Sequence, residues 1–181
     1  IRLITDYQNS LGNGRLNVNY GATAGFNVAK NITEQSAGML NIKSSDSFGY
    51  DLSTFQQLAI GTLTGETLTL DKMLKPTQTG YYFSGGGDLL VNSALLSGNS
   101  LTVDAQDNDG GTVTLNTAND LHSKVTVRGY NRDNSVSRKS DMTLKFGVDN
   151  AIDENSHVVL EDGGVIDLNG HSAVLNMDSG T

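Results

Sequence analysis

Three histidines, His122, His157 and His171, are the first residues to weigh, because imidazole activates nucleophiles and ligates metals near neutral pH. Each sits in or beside turn-forming text: "NDLHSK", "ENSHVV" and "NGHSAV". Their spacing matches neither H-E-x-x-H nor a comparable metal pattern, and no G-x-S-x-G supplies a nucleophile elbow. A triad could be assembled only across the fold, and histidines in turns are far more often solvated surface groups. The acidic run "DAQDNDGG" (Asp104–Gly111) invites a calcium test. An EF-hand loop with its acidic triplet ending at Asp109-Gly110 needs a first ligand at Ala105 and a Glu at Asn116, and fails at both. Asp104, Asp107 and Asp109 therefore read as a solvated acidic turn. "SGGGDLLVN" holds one Gly-Asp turn, without the repeated nonapeptide of calcium-binding β-rolls. With no Cys there is neither thiolate site nor disulfide. No metal, no cofactor and no catalytic residue is expected.

Binding chemistry has a better candidate. Formal net charge is −8, which argues against nucleic acid as the main partner. The charge is uneven, however. Lys124, Arg128, Arg132, Arg138, Lys139 and Lys145 face only Asp133 and Asp141 within their segment. After Lys145 there is no Lys or Arg, but seven acidic residues from Asp149 to Asp178. Tyr130 sits inside the basic text "RGYNRDNSVSRKSD", which interrupts the strand rhythm between Val127 and Thr143. Long loops on regular scaffolds are where such proteins place function. Arg128, Tyr130, Arg132, Arg138 and Lys139 are therefore the candidate binding residues, suited to an anionic glycan or an acidic protein surface. The plainer reading of the same charge run is a solvated loop. Tyr81–Phe83 read instead as a strand with one or two rings in the core.

The elements that must position these groups are short strands. Charged residues make up only 18% of the chain, Gly numbers 21 and Pro one, a balance that suits strands joined by tight turns. Apolar residues alternate in Leu89–Val91, Leu101–Val103, Val113–Leu115, Val125–Val127 and Thr143–Phe146. Turn formers separate them: "SGNS", "DAQDNDGG", "NTANDLHS" and "VDNAIDENS". Recurrence of one unit, in "GNSLTVDA", "GGTVTLNT" and "HSKVTVRG", points to a solenoid of roughly 22 residues per turn and about eight turns.

The stretch "VVLEDGGVIDLNGHSAVLNM" tests that reading, since Asn-Gly is otherwise the strongest hairpin signal. Here "EDGG" and "NGH" are expected to be corners of one coil that never doubles back. Val158, Leu160, Ile166, Leu168, Leu175 and Met177 would point inward, with Glu161, Asp162 and Asn169 outside at the bends. The first half is less regular. "RLNVNY", "GFNVAK" and "GMLNIK" are strand-like, and Leu52–Ile60 fits either a short helical face or a loop running into a strand at Ile60. "LKPTQTGYYFSGGG" reads as an excursion or corner. The expectation is one domain over 1–181, with 1–84 less regular and 85–181 in regular coils.

At this level of detail the text resembles a known family. "GGTVTLNTANDLHSKVTV" and "MTLKFGVDNAIDENSHVVLEDGGVIDLNGHSAVLNM" are similar to passenger domains of Gram-negative autotransporters, the type V secreted proteins. The matching elements are Gly111–Leu115, Asn119–Leu121, Asn150–Ile152 and Ile166–Gly170, and the likeness is good from about Gly110 to Met177. It implies an all-β, right-handed parallel β-helix carried to the cell surface or secreted. Any membrane attachment would be through a C-terminal barrel absent from this sequence. No apolar run approaches a membrane span, and "IRLITDYQNS" lacks the order of a signal peptide. Beginning without Met and stopping in mid-pattern, the sequence reads as a fragment of a longer passenger. The resemblance implies a non-catalytic adhesive segment. Its partners would be a host surface protein or glycan, or another copy of itself. Two alternatives stay open: the stalk of an autotransporter protease or toxin, and, more remotely, a carbohydrate-active β-helix enzyme.

Overall fold

Strands of three or four residues are too short to be stable as isolated hairpins. In the computed structural model, which describes residues 1–130 and 140–178, they stack instead. In chain order the first seven are β1 (Arg2–Leu3), β2 (Thr23–Gly25), β3 (Met39–Asn41), β4 (Ala59–Gly61), β5 (Thr67–Leu70), β6 (Tyr81–Ser84) and β7 (Asp88–Val91). The rest are β8 (Leu101–Asp104), β9 (Thr112–Leu115), β10 (Lys124–Arg128), β11 (Met142–Phe146), β12 (His157–Glu161), β13 (Gly164–Asp167) and β14 (Asn176–Met177). One sheet runs β1-β2-β3-β4-β6-β8-β10-β12-β14 and a second runs β13-β11-β9-β7-β5. Every ladder in both is parallel. The molecule is a parallel β-solenoid of about eight turns. Coil length is uneven: Ala24 pairs with Leu40, whereas Val127 pairs with Leu160, about twice as far along the chain.

Period-2 alternation places the core. On the larger sheet Phe83, Val103, Val127 and Leu160 form one inward column, and Tyr81, Leu101, Val125 and Val158 another. On the smaller sheet Leu68, Leu89, Val113, Leu144 and Ile166 form one, and Leu70, Val91, Leu115 and Phe146 the next. A third, strandless side contributes Leu95, Leu121 and Ile152. There side chains replace the ladder: Asn119 Oδ1 accepts from Leu95 N–H at 2.8 Å, and its Nδ2 donates to Ala151 O at 3.0 Å. Asn119 thereby ties three successive coils through a buried amide.

The Asp-Gly and Asn-Gly pairs are corners. Asp162 and Gly163 have φ of 49° and 93°, and Asn169 and Gly170 have 49° and 76°. Left-handed backbone at two adjacent residues is what a type I′ turn requires. Yet β12 pairs with β10 and β14, and β13 pairs with β11, so the chain turns and moves on.

Three sequence expectations change on contact with the structure, and one open alternative is decided. "GFNVAK" lies in a 3-10 helix over Phe26–Asn31, not a strand. Val28 and Asn31, three residues apart, are buried on its inner side, and Phe26 and Ala29, also three apart, pack partly against the core. Of the two readings of Leu52–Ile60, the loop is the one found, and it leads into β4. Of the expected inward set, Val158 is fully buried and Ile166 and Leu175 half-buried, but Leu160, Leu168 and Met177 are about two-fifths exposed. Among the described residues no further strand stacks beyond β13 and β14, and β14 pairs only His157 and Val158 of β12, short of Leu160. The acidic run is solvated only in part: Asp104 and Gln106 are buried, Asp107 is half-buried and Asp109 is exposed.

Candidate functional site

Of the five basic-segment candidates, Arg132, Arg138 and Lys139 lie outside the described residues. Arg128 and Tyr130 stand at the near end of that segment. Tyr130 and Ser140 exchange two backbone hydrogen bonds of 2.7 and 3.0 Å, an antiparallel bridge that pins together the two chain positions flanking 131–139. The Tyr130 ring is half-buried and packs on the core.

Arg128 occupies an outward position on the larger sheet, in register with Asp104 on β8 and Glu161 on β12. Parallel in-register stacking puts these three charges on consecutive rungs, acid, base, acid. Arg128 Nη1 donates to Asp104 Oδ2 at 3.0 Å and Nε donates to Glu161 Oε2 at 2.7 Å. Opposite charges directly across a ladder attract, and both bonds are charge-assisted. The Tyr20 hydroxyl also donates to Asp104 Oδ2, at 2.9 Å. Burial, and then the charge of Asp104, pushes the Tyr20 phenol up to about 12. Partial burial would depress the Arg128 guanidinium, but hydrogen bonding to Glu161 and the charges of Asp104 and Glu161 outweigh it and raise its pKa. Arg128 is thus committed to holding three coils together.

Beside this ladder is a groove of about 260 Å³, lined by Tyr20, Ala37, Gln57, Tyr82, Thr102 and Arg128 among others. Gln106, with φ of 51°, closes one wall by donating from Nε2 to Ala37 O at 3.2 Å. Asn108 Nδ2 donates to Gly21 O at 2.9 Å. The acidic run therefore folds back and ties the loop before β2 to the coil of β8.

A second surface is broader. The outward residues of the smaller sheet form two columns: Thr67, Asp88, Thr112, Thr143 and Val165, then Thr69, Leu90, Thr114, Lys145 and Asp167. All of them but Thr69 and Val165 line a shallow trough of about 430 Å³. Hydroxyls dominate it, with one base and two acids, so it carries no field of single sign.

The histidines each meet an aspartate. His122 Nε2 is 3.7 Å from Asp153 Oδ2, His157 Nδ1 is 3.4 Å from Asp178 Oδ1, and His171 Nδ1 is 3.3 Å from Asp149 Oδ1. His157 and Asp178 are exposed, as is Asp149, whereas Asp153 is buried. None of these pairs is adjacent in sequence. The charge ladder left a faint signal: the residue after each apolar alternation in "LTVD", "VTVR" and "VVLE" alternates in sign. Reading it required knowing that these three phrases stack. Comparison of the chain with models of known families, with curated proteins and with solved structures gives no match.

Proposed function

We propose that this chain is a non-catalytic β-solenoid segment of a surface-displayed or secreted autotransporter, working by contact along its length in adhesion, autoaggregation or host interaction. The observation that supports this reading is the outward face of the five-stranded sheet. Its two columns, in which five of ten residues are threonine, repeat at the rung spacing of about 4.8 Å over roughly 19 Å. Threonine hydroxyls donate and accept, so such a face suits the hydroxyls of a glycan, a polar protein surface or a second copy of itself. Each contact would be weak, and useful strength would come from many displayed copies. The basic segment remains a second candidate through Arg132, Arg138 and Lys139.

The test compares two variants of the displayed chain in adhesion and autoaggregation assays. One carries Thr114→Glu with Thr143→Glu on the trough. The other carries Arg132→Ser, Arg138→Ser and Lys139→Ser. Loss of binding in the first, with circular dichroism unchanged, supports the trough. Loss only in the second moves the site to the basic segment. If neither changes and the chain binds nothing alone, the stalk reading takes over. Release of reducing sugar from a polysaccharide would overturn the non-catalytic reading itself.

A further inference from the structure

The corner between β9 and β10 carries chemistry that a purely adhesive rod does not require. Leu121 is fully buried there, and the residues on either side of it, Asp120 and His122, are exposed. One coil further on, Asp153 is buried beneath them. Its two oxygens are treated very differently. Oδ1 accepts from Leu121 N–H at 2.9 Å and from the Ser156 hydroxyl at 2.6 Å. Oδ2 is shut off from solvent and has no hydrogen-bond partner. His122 Nε2 stands 3.7 Å from it, too far for a hydrogen bond. A buried carboxylate oxygen with no donor is costly unless a cation faces it.

One ligand atom from each of Asp120, His122 and Asp153 lies within 4.8 Å of the others. We propose that these three residues form a binding site for one divalent transition-metal cation. One imidazole nitrogen and two carboxylate oxygens match zinc best, with water completing the coordination. Ligand atoms around zinc sit roughly 3.4 Å apart, a little closer than these. Asp120 and His122, both exposed, can rotate to close that gap while Asp153 stays fixed. Bound metal would clamp the β9–β10 corner to the β11–β12 corner. This inference is independent of what the trough binds, and it departs from the metal-free expectation of the sequence because Asp153 is 31 residues from His122.

The experiment titrates Zn²⁺ into the chelator-stripped, untagged chain by calorimetry at pH 7.5, with Co²⁺ absorption as a second readout. One equivalent should bind. Asp120→Asn and His122→Asn should each weaken binding at least about tenfold. Asn tolerates the left-handed backbone of His122, whose φ is 50°. A double control, His157→Gln with His171→Gln, should bind as the parent does. In the parent chain, the His122 ring resonances should be the histidine signals that shift with Zn²⁺. The proposal is overturned by absence of saturable binding up to about 100 µM, which is weaker than any structural zinc site. It is equally overturned if His122→Asn binds normally, if the control loses binding, or if the rings of His157 or His171 shift instead.

Discussion

Arg128 is held on one side by a carboxylate that is almost completely buried and on the other by one that is about two-fifths exposed. The two bonds should therefore differ in worth. Removing the guanidinium leaves the buried Asp104 carboxylate, among the described residues, with the Tyr20 hydroxyl on that oxygen and the Gln106 N–H on the other. Arg128→Met should cost about 2–4 kcal/mol, near the range for breaking a buried pair. Glu161→Gln should cost less than about 1 kcal/mol, as for an exposed pair. Urea midpoints measure both. Equal losses would mean that Asp104 is more solvated than its position on the sheet indicates. At the same scale, the candidate binding residues separate by physical role. Arg128 serves packing across coils, and Tyr130 packs on the core beside the bridge to Ser140.

At the scale of the element, a strand's position in the stack decides what its inward residues contribute. Leu144 on β11 is fully buried, with Val113 before it and Ile166 after it in the same column. Leu168 follows β13 on the last coil and is 39% exposed. Both look the same in sequence, an apolar residue in an alternating phrase. Leu144→Asp should cost roughly 4 kcal/mol or more, because the charge has neither water nor partner. Leu168→Asp should cost less than about 1.5 kcal/mol, since its carboxylate can reach solvent. Thermal or urea unfolding of the pair checks this, and equal costs would show that the last coil is covered in solution. The 3-10 helix over Phe26–Asn31 makes a related point. Its apolar residues satisfy a period of two and a period of three at once, and contacts with neighbouring coils select the second.

At the scale of the whole molecule, the stack is one continuous core with two unlike boundaries. At the C-terminal end of the stack Leu160, Val165, Leu168, Val174 and Met177 are exposed, and β13 and β14 each have one free ladder edge among the described residues. Unpaired edge and apolar surface together favour association. The chain should self-associate with rising concentration in sedimentation velocity, and Leu168→Lys with Val174→Lys should reduce this at least several-fold. A strict monomer at high concentration would show that this boundary is closed by other means. Such end-to-end contact would be distinct from lateral contact through the threonine trough, which those two substitutions leave intact.

Period-2 alternation, turn formers at regular intervals and the recurring strand phrase were enough to establish an all-β parallel coil, its corners at "EDGG" and "NGH", and its turn number. These are local properties: backbone preference and side-chain alternation act over a few residues, and each coil repeats them. What depends on register was decided only by the tertiary structure. Asp104, Arg128 and Glu161 become a ladder because their strands stack in phase, and Thr112 and Thr143 share a column for the same reason. Asp153 reaches His122 and Leu121 only because the coil between them, though long, returns to the same corner. Coil length varies about twofold along the chain, so no fixed spacing in the sequence could reveal which residues meet.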